Sequence, residues 1–235
     1  MTTLGHSVEE TDAALVPVKI KEDWVKKLSG LSFGNAKLTL IQDKTKQDSR
    51  VGKMLFTHFG ISGPLVLNMS KNITELLKYA PVNLELDLYP ELDLIALDKK
   101  MLTDLSSGLN KQIKNNLGGL VPPKMIPAIL ELTKINPETE GNSLTKEQRR
   151  KIVTLVKALP MTVEGLLGVE KAVVTSGGVS LKEIDFKTMQ SKLYSNLYLA
   201  GDILNFDRPS GGFSLQICWT TGYLAGENSA KNSVK

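Results

Sequence analysis

The sequence predicts a mixed α+β and α/β protein of several domains, and three patterns support this. Apolar and polar residues alternate across 18–90, which is typical of antiparallel strands. Apolar residues recur every three or four positions across 91–159, which is typical of helices. A strand pattern, a glycine-rich loop and a helix pattern follow in 160–235, and 1–17 stands apart as a short leading segment.

The composition is that of a globular protein and carries no metal or membrane signature. Of the 235 residues, 41% are hydrophobic and 23% are charged, which are ordinary values for globular domains. The net charge of +4 comes from scattered lysines, which favours a solvated surface over a specific nucleic-acid site. The single cysteine excludes an internal disulfide and a cysteine-based metal cluster. We see no signal-peptide or membrane-spanning pattern and expect a cytoplasmic protein without a membrane partner.

The leading segment 1–17 predicts little structure of its own. Gly5–Val8 and Ala14–Pro17 are candidates for short strands or extended connections. We expect their pairing partners to lie outside this chain and Met1–Glu10 to be poorly ordered.

The segment 18–90 predicts an antiparallel sheet or barrel. Lys37–Ile41 and Val82–Leu88 alternate, and Lys53–Thr57 has the pattern of a further strand. Gly60–Pro64 predicts a tight turn that leads into a helix with proline at its first position. His58 precedes this turn, and we favour a structural contact to loop backbone over a role as proton donor or substrate contact.

The segment 91–159 predicts three helices in a separate small unit. The first covers Asp93–Leu105, the second opens at Pro122, and the third has Thr145 as its N-cap and Gln148 as the capping-box partner. The inward residues are Leu94, Leu97, Met101, Leu105, Met125, Ile129, Leu132, Ile152, Leu155 and Val156. A solvated helix face is favoured over a phosphate site for the basic residues Lys124, Lys134, Lys146, Arg149, Arg150 and Lys151.

The segment 160–235 predicts strands that lead to one helix. Met161–Val163 is interpreted as a return strand, and Lys171–Thr175 as a second strand that ends in a Ser176–Gly178 turn. The apolar run Leu197–Ala200 suits a buried strand. The predicted strands and turn are followed by a helix over Leu215–Gly226 and by a polar tail from Asn228 onward.

The last strand, loop and helix form the candidate site. Asp202 follows the predicted strand directly, at the carboxyl end where open α/β sheets bind ligands. Gly211 and Gly212 leave backbone N–H groups bare at a helix start, where the helix dipole favours an anion or an electron-rich carbonyl. The spacing alone leaves an ordinary strand–loop–helix unit with turn glycines equally open.

Three stretches of this segment resemble one flavoprotein family, the BaiN/YhiN-like NAD(P)/FAD-dependent oxidoreductases, also described as aminoacetone-oxidase-like proteins. These stretches are Ala172–Val179, Leu197–Asp202 and Gly211–Gln216. Gly52–Pro64 resembles the family's inserted domain, and Leu15–Val18 resembles the segment that leads into it. The resemblance implies an inserted β domain, a helical subdomain covering the flavin, and the C-terminal part of a Rossmann-like FAD-binding domain.

The resemblance also implies which residues hold the cofactor. Asp202 would accept a hydrogen bond from a ribityl or ribose hydroxyl, and the backbone at Gly177 and Gly178 would lie close to the ring. N–H groups of Gly211, Gly212 and Phe213 would face the pyrimidine edge and stabilise the reduced flavin. The full implied set is Thr175, Gly177, Gly178, Gly201, Asp202, Gly211, Gly212, Phe213 and Gln216, with no metal ligand and no assigned catalytic acid or base.

The Gly-x-Gly-x-x-Gly turn that the family uses for the adenosine and pyrophosphate is not found in this sequence. We therefore expect the chain to be the C-terminal portion of a truncated or split flavoprotein, with the N-terminal half as its partner and NAD(P)H as a possible hydride donor. Alone, it is expected to fold without FAD and to self-associate through the face at Val173, Val174 and Leu197–Leu199.

Two other functions stay open. The chain could be a non-enzymatic module that binds nucleic acid or protein and has lost the cofactor. It could also be a half-protein that binds FAD only together with a separate N-terminal chain.

Overall fold

The computed structural model describes residues 1–106, 108, 110–168, 170, 174–206 and 208–233, with backbone alone at 11–13, 174, 175 and 233. The chain divides into two compact units: Pro17–Val66 with Asn72–Leu166, and Met1–Val16 with Leu67–Lys71 and Leu167–Lys235. The elements in chain order are β1 (Val8–Ala14), β2 (Val18–Ile20), α1 (Asp23–Lys27), β3 (Ser32–Gln42), β4 (Thr45–Thr57), β5 (Gly60–Ser62), α2 (Pro64–Leu77), β6 (Asn83–Asp87), α3 (Leu94–Ser106), α4 (Ile126–Thr133), α5 (Lys146–Lys157), β7 (Leu159–Leu166), β8 (Val174–Val179), β9 (Ile184–Asp185), β10 (Gln190–Ser191) and α6 (Phe213–Ser233).

The first unit is built on a closed antiparallel barrel with the strand order β2-β5-β4-β3-β6-β7. Alternation along β3 turns Leu38 and Leu40 into the core, where Leu38 lies opposite Leu86 of β6. Gly60 has φ +154°, and a Cβ there would lie 2.3 Å from the Val18 carbonyl oxygen, so only glycine permits β5 to approach β2 so closely. The predicted antiparallel character of 18–90 is confirmed.

The helices pack with the barrel and do not form the separate unit that we predicted. Lys157 at the end of α5 explains part of this, because its ammonium binds the Asp87 carboxylate at 2.7 Å and the carbonyls of Tyr89 and Leu92. The capping box of Thr145 and Gln148 is confirmed. Most predicted inward residues of α3 to α5 are buried or half-buried, but Leu94 and Leu132, at or near helix ends, are exposed.

The strand over Met161–Val163 belongs to the barrel and not to the second unit. It lies within β7, which pairs antiparallel with β2 and β6. The reason is its register: Met161 faces Leu84 across the ladder and is buried in the barrel core.

The second unit contains two antiparallel strand pairs and the long helix α6. β1 pairs with β8, and β9 pairs with β10. The pairing of β1 within this chain corrects our expectation of a partner outside it. The core of the second unit comprises Val179, Ile184, Met189, Leu199 and Leu204.

Three predicted elements of this unit differ from the structure. Ser176–Gly178 continues β8 instead of turning, because each of these residues but Gly177 has a register partner in β1. Leu197–Ala200 is no strand: the segment makes a single bridge from Tyr198 to Gln190 while Leu199 turns into the core. The predicted start of β8 at Lys171–Val173 lies outside the described residues.

α6 runs from Phe213 to Ser233, so it begins before Leu215 and includes residues 228–233 of the predicted polar tail. Side-chain hydrogen bonds support the extension, since the Asn232 amide donates to the Tyr198 hydroxyl and Lys231 pairs with Glu227. Among the described residues of this unit, both strand pairs are antiparallel and one isolated bridge, Val179 to Leu204, is parallel, which differs from the predicted Rossmann-like parallel sheet. No helix in the described part of the chain has the length and apolarity needed to span a membrane.

Candidate functional site

Gly201 places a tight turn against α6. Its φ is +72°, and its N–H donates to the Thr221 hydroxyl at 2.9 Å. A Cβ at this position would lie 3.3 Å from the Cys218 sulfur. Glycine therefore allows the turn to lie close to α6 and holds Asp202, the next residue, beside the helix.

The exposed carboxylate of Asp202 pairs with the buried guanidinium of Arg208. Its Oδ1 accepts hydrogen bonds from Nη1 of Arg208 and, at 3.9 Å, from the thiol of Cys218. The Asp202 side chain is 62% exposed, whereas that of Arg208 is 1% exposed. The carboxylate is thus fixed in position and still open to solvent, as a ligand contact requires.

Sequence reasoning missed Arg208. The available signal was modest: Arg208 is the one basic residue in 205–212, six positions after an aspartate. An aspartate and an arginine six positions apart in a loop do not predict an ion pair, because loop conformation is not periodic.

The loop before α6 provides backbone that a ligand can approach. Gly211 and Gly212 have φ values of +109° and +90°, and a Cβ at Gly212 would meet nothing within 4 Å. Gln216 N–H donates to the Gly212 carbonyl, so the amides of Phe213 to Leu215 precede the first hydrogen bond of the helix. Open space beside Gly212 and the first N–H groups of the helix therefore lie together at this point.

Two polar atoms next to this loop are buried without a hydrogen-bond partner among the described atoms. They are Nε of Arg208 and the hydroxyl oxygen of Ser210. The Ser210 N–H, by contrast, donates to Oδ1 of Asn68 at 2.7 Å. Such orphaned donors are uncommon in proteins and call for an explanation.

The remaining predicted site residues differ in their surroundings. A Cβ at Gly178 would lie 2.5 Å from the Ile203 carbonyl oxygen. The lack of a side chain at Gly178 therefore makes room for the turn that contains Asp202, and not for a ligand. Gly177 has φ +93°, and the backbone of Thr175 pairs with Ala13. Phe213 is exposed, and the amide of Gln216 donates to the Thr220 hydroxyl. The structure thus gathers Gly178, Gly201 and Asp202 around one turn, and Gly211, Gly212 and Phe213 at the start of the helix.

His6 lies at the centre of a second polar cluster in the same unit. Its Nδ1 is 2.8 Å from the Glu183 carboxylate, and its Nε2 is 3.0 Å from the Ser191 hydroxyl. Hydrogen bonds from Ser7 and then His6 lower the pKa of Glu183. His6 is buried and bonded on both ring nitrogens, so the expectation of poor order over Met1–Glu10 is wrong at this residue.

The other candidates fit structural roles. His58 is exposed and its ring packs edge-on against Phe59 at 4.9 Å. In the basic cluster, Arg149 pairs with Asp98 and Lys151 pairs with Glu147. A cavity of about 620 Å³ beside α4 and α5 includes none of the predicted site residues. The described residues contain no cluster of histidine, cysteine and carboxylate groups suited to a metal.

Residues 12–174 match the family of the HI0933-like protein barrel and H2TH domain. The chain belongs to the HI0933-like family. The matched segment contains every strand of the barrel together with α1 to α5. This membership confirms the resemblance to BaiN/YhiN-like flavoproteins.

Three relatives place the HI0933-like chain among longer proteins. It is 30% identical to the 3-dehydro-bile acid delta(4,6)-reductase of Clostridium scindens, over 97% of the chain and 56% of the relative. It is 30% identical to the ribosomal RNA dihydrouridine synthase of Haemophilus influenzae, over 93% and 52%, and 26% identical to that of Escherichia coli, over 97% and 55%. The chain therefore spans about half the length of these curated relatives.

Proposed function

We propose that this chain is the C-terminal portion of a FAD-dependent, NAD(P)H-linked oxidoreductase. It would supply the ribityl and isoalloxazine side of the flavin site, with the barrel and helices as a covering insert. Membership of the HI0933-like family supports the cofactor class. The observation that carries the assignment to these residues is the exposed Asp202 carboxylate beside α6, whose first amides follow the open Gly211–Gly212 backbone.

The chemistry of these groups suits a flavin. A carboxylate accepts hydrogen bonds from a polyol such as the ribityl chain, and Asp202 is held for this by Arg208. Helical N–H groups and the positive end of the α6 dipole favour the electron-rich pyrimidine edge. FAD supplies hydride-transfer chemistry when bound, and these residues would bind and orient it.

The substrate and partners belong to the proposal as well. One relative is named as a bile acid reductase and another as a ribosomal RNA dihydrouridine synthase. Either substrate class is compatible with a flavin-dependent oxidoreductase. We propose the N-terminal half of such a flavoprotein as the partner, NAD(P)H as the hydride source, and the cytoplasm as the location.

A chimaera tests this function directly. The chain replaces the matched region of the Clostridium scindens relative, and the purified chimaera is examined for flavin absorbance and for its loss on addition of NADPH. We expect bound flavin in the chimaera and none in the chain alone, because the chain supplies one side of the site only. A folded chimaera without flavin would contradict the proposal.

A non-enzymatic module that binds RNA is the second candidate. Exposed cations on α5 and directly after α4 favour it, namely Lys134, Lys146, Arg150 and Lys151, and two relatives are named for ribosomal RNA. Filter binding of RNA and DNA across a salt series tests it. Strong RNA binding with a steep salt slope would support this candidate, and weak binding equal for both nucleic acids would remove it.

A further inference from the structure

We propose that the cavity between α4 and α5 binds a small molecule with an apolar body and one carboxylate, of the class of a medium-chain fatty acid. This cavity, which we call the α4–α5 groove, has a volume of about 620 Å³ and includes none of the residues proposed to bind the flavin. Ligand pockets commonly measure about 300–1,000 Å³ and combine mostly apolar walls with a few polar groups. The proposal goes beyond the oxidoreductase function and does not depend on it.

The groove lies where both helices end. α4 ends at Thr133, and Lys134 takes the left-handed conformation with φ +57°, after which Ile135 is buried in the core. α5 ends at Lys157, and Ala158 joins it to β7. Ala158 lines the groove, and its small side chain leaves space that a larger residue would fill.

The walls of the groove are mainly apolar. Leu132 of α4, Leu155 of α5 and Pro160 of β7 line it. Leu132 is 37% exposed, although the sequence predicts that it faces inward, because its side chain borders this groove. The Thr133 hydroxyl, which also borders the groove, already donates to the Ile129 carbonyl at 2.7 Å. An aliphatic ligand would therefore cover apolar surface here, which the hydrophobic effect favours.

Cations stand beside these apolar walls. Lys134, Arg150 and Lys151 border the groove, and all three are exposed. Lys151 binds the Glu147 carboxylate at 2.9 Å. Glu147 is the one carboxylate among the described residues that line the groove. Lys134 and Arg150 have no ion-pair partner in the part of the chain that the structure describes, so two positive charges are available to a ligand.

This combination favours a carboxylate attached to an apolar group. A guanidinium such as that of Arg150 can donate two parallel hydrogen bonds to a carboxylate, while an aliphatic chain covers Leu132 and Leu155. A neutral lipid would leave the cations unused. Inorganic phosphate or the phosphates of RNA would leave the apolar walls uncovered. An amphipathic acid uses both features at once.

Isothermal titration calorimetry of the full chain with sodium decanoate, below its micelle concentration, tests the proposal. We expect a single saturable site. 1-Decanol, which has the apolar body without the charge, should bind about tenfold more weakly because it lacks the charge-assisted hydrogen bonds. Acetate, which has the charge without the body, should bind more weakly still. No saturable binding of decanoate, or equal affinity for decanol or acetate, would overturn the proposal.

Charge variants assign the carboxylate contact. Arg150→Met and Lys134→Met keep an apolar side chain and remove the charge, so each should weaken decanoate binding about two- to fivefold, as expected for an exposed ion pair. Lys111→Met, at an exposed lysine of the same unit outside the groove, is the matched control and should bind decanoate normally. Equal weakening in Lys111→Met would show a general effect of net charge and would overturn the proposal.

Two further variants locate the apolar contact. Ala158→Leu fills the groove and should weaken decanoate binding, whereas Trp219→Gln removes an exposed aromatic group from α6 and should not. Should Ala158→Leu fail to fold by circular dichroism, Leu132→Asn takes its place, because Leu132 is already exposed and its substitution leaves the core intact. Loss of binding in Trp219→Gln, with normal binding in the folded groove variant, would place decanoate on α6 and overturn the proposal.

Discussion

The Asp202–Arg208 ion pair makes substitutions at Asp202 affect stability as well as binding. Asp202→Ala leaves a buried cation without its partner, whereas Asp202→Asn keeps an oxygen acceptor. We expect Asp202→Ala to lower the free energy of unfolding by about 1–3 kcal/mol, between values for exposed and buried pairs, and Asp202→Asn to lower it less. Urea denaturation measures both. Equal losses in the two variants would show that the buried cation does not need this oxygen.

Flavin affinity should also respond at Asp202. A charge-assisted hydrogen bond contributes roughly 1.5–3 kcal/mol, so Asp202→Ala in the chimaera should weaken FAD binding about ten- to a hundredfold, and Asp202→Asn, which keeps an oxygen acceptor, should weaken it less. Equilibrium dialysis gives the affinity. Glu9→Gln, at an exposed carboxylate of the same unit, is the control and should bind FAD normally. An unchanged affinity in Asp202→Ala would remove this residue from the site.

Glu183 predicts an acid-dependent loss of stability. Its pKa is lowered, chiefly by the hydrogen bond from Ser7 and then by His6. A lowered pKa contributes stability that is present above the unfolded pKa, about 4.3 for glutamate, and is lost as the pH falls through the folded value. Glu183→Gln should therefore be less stable than the unaltered chain at pH near 7, and the difference should shrink below about pH 4.

Denaturant unfolding at both pH values checks this expectation. Glu75→Gln is the matched control, because its partner Lys78 and Glu75 itself are both exposed, and an exposed pair contributes little. A stability difference for Glu183→Gln that is constant with pH would argue against the ionised contact to His6 and Ser7.

At the scale of elements, the capping box predicts how α5 responds to substitution. The Thr145 hydroxyl accepts from Gln148 N–H at 3.1 Å, and the Gln148 amide oxygen accepts from Thr145 N–H at 3.0 Å. Thr145→Ala should cost about 1 kcal/mol of stability, and Thr145→Ser much less. Thr103→Ala on α3 should stay within about 0.5 kcal/mol. Thermal unfolding compares them, and equal effects of Thr145→Ala and Thr103→Ala would contradict the cap.

Elements with strong local patterns were predictable from the sequence. The alternation of β3 and β6 and the proline that opens α2 need only their own residues, and each is found as predicted. Ser176–Gly178 and Leu197–Ala200 were mispredicted because their structure depends on distant partners. Pairing with β1 places Gly177 and Gly178 within β8. Leu197–Ala200 makes one isolated bridge, at Tyr198, and forms no strand pair with a described neighbour.

The candidate site was predictable to the same extent. Gly211–Gly212 precede the helix as predicted, and both have positive φ, because glycine conformation is a local property. Asp202 was predicted to follow a strand, but it lies in a turn that begins at Gly201. Arg208 and Ser210 were not predictable, since their burial is set by the packing of the whole unit and leaves no periodic signal.

At the scale of the whole molecule, exposed apolar residues on α6 predict self-association. Phe213, Leu215, Trp219 and Tyr223 are 53%, 59%, 66% and 71% exposed, and the last three recur every four positions. The face expected from sequence differs, because Leu199 is buried and Val173 lies outside the described residues. We expect the isolated chain to form dimers or larger species through α6.

Sedimentation velocity tests this expectation. Trp219→Gln should reduce the associated fraction, whereas Tyr79→Gln, at a more exposed aromatic residue of the other unit, should not. A monomer at high concentration, or equal effects of both variants, would contradict a contact through α6.

The flavin affinity of two glycine variants in the chimaera tests the central claim, that a flavin lies against the Gly211–Gly212 backbone. Gly212 and Gly30 both have φ +90°, and a methyl group added at either position would meet nothing within 4 Å, so alanine strains the backbone equally at both. We predict that Gly30→Ala binds FAD normally and that Gly212→Ala loses at least about tenfold in affinity, or about 1.4 kcal/mol, because its methyl group occupies the cofactor's place. Equal FAD affinities in the two variants would contradict the claim.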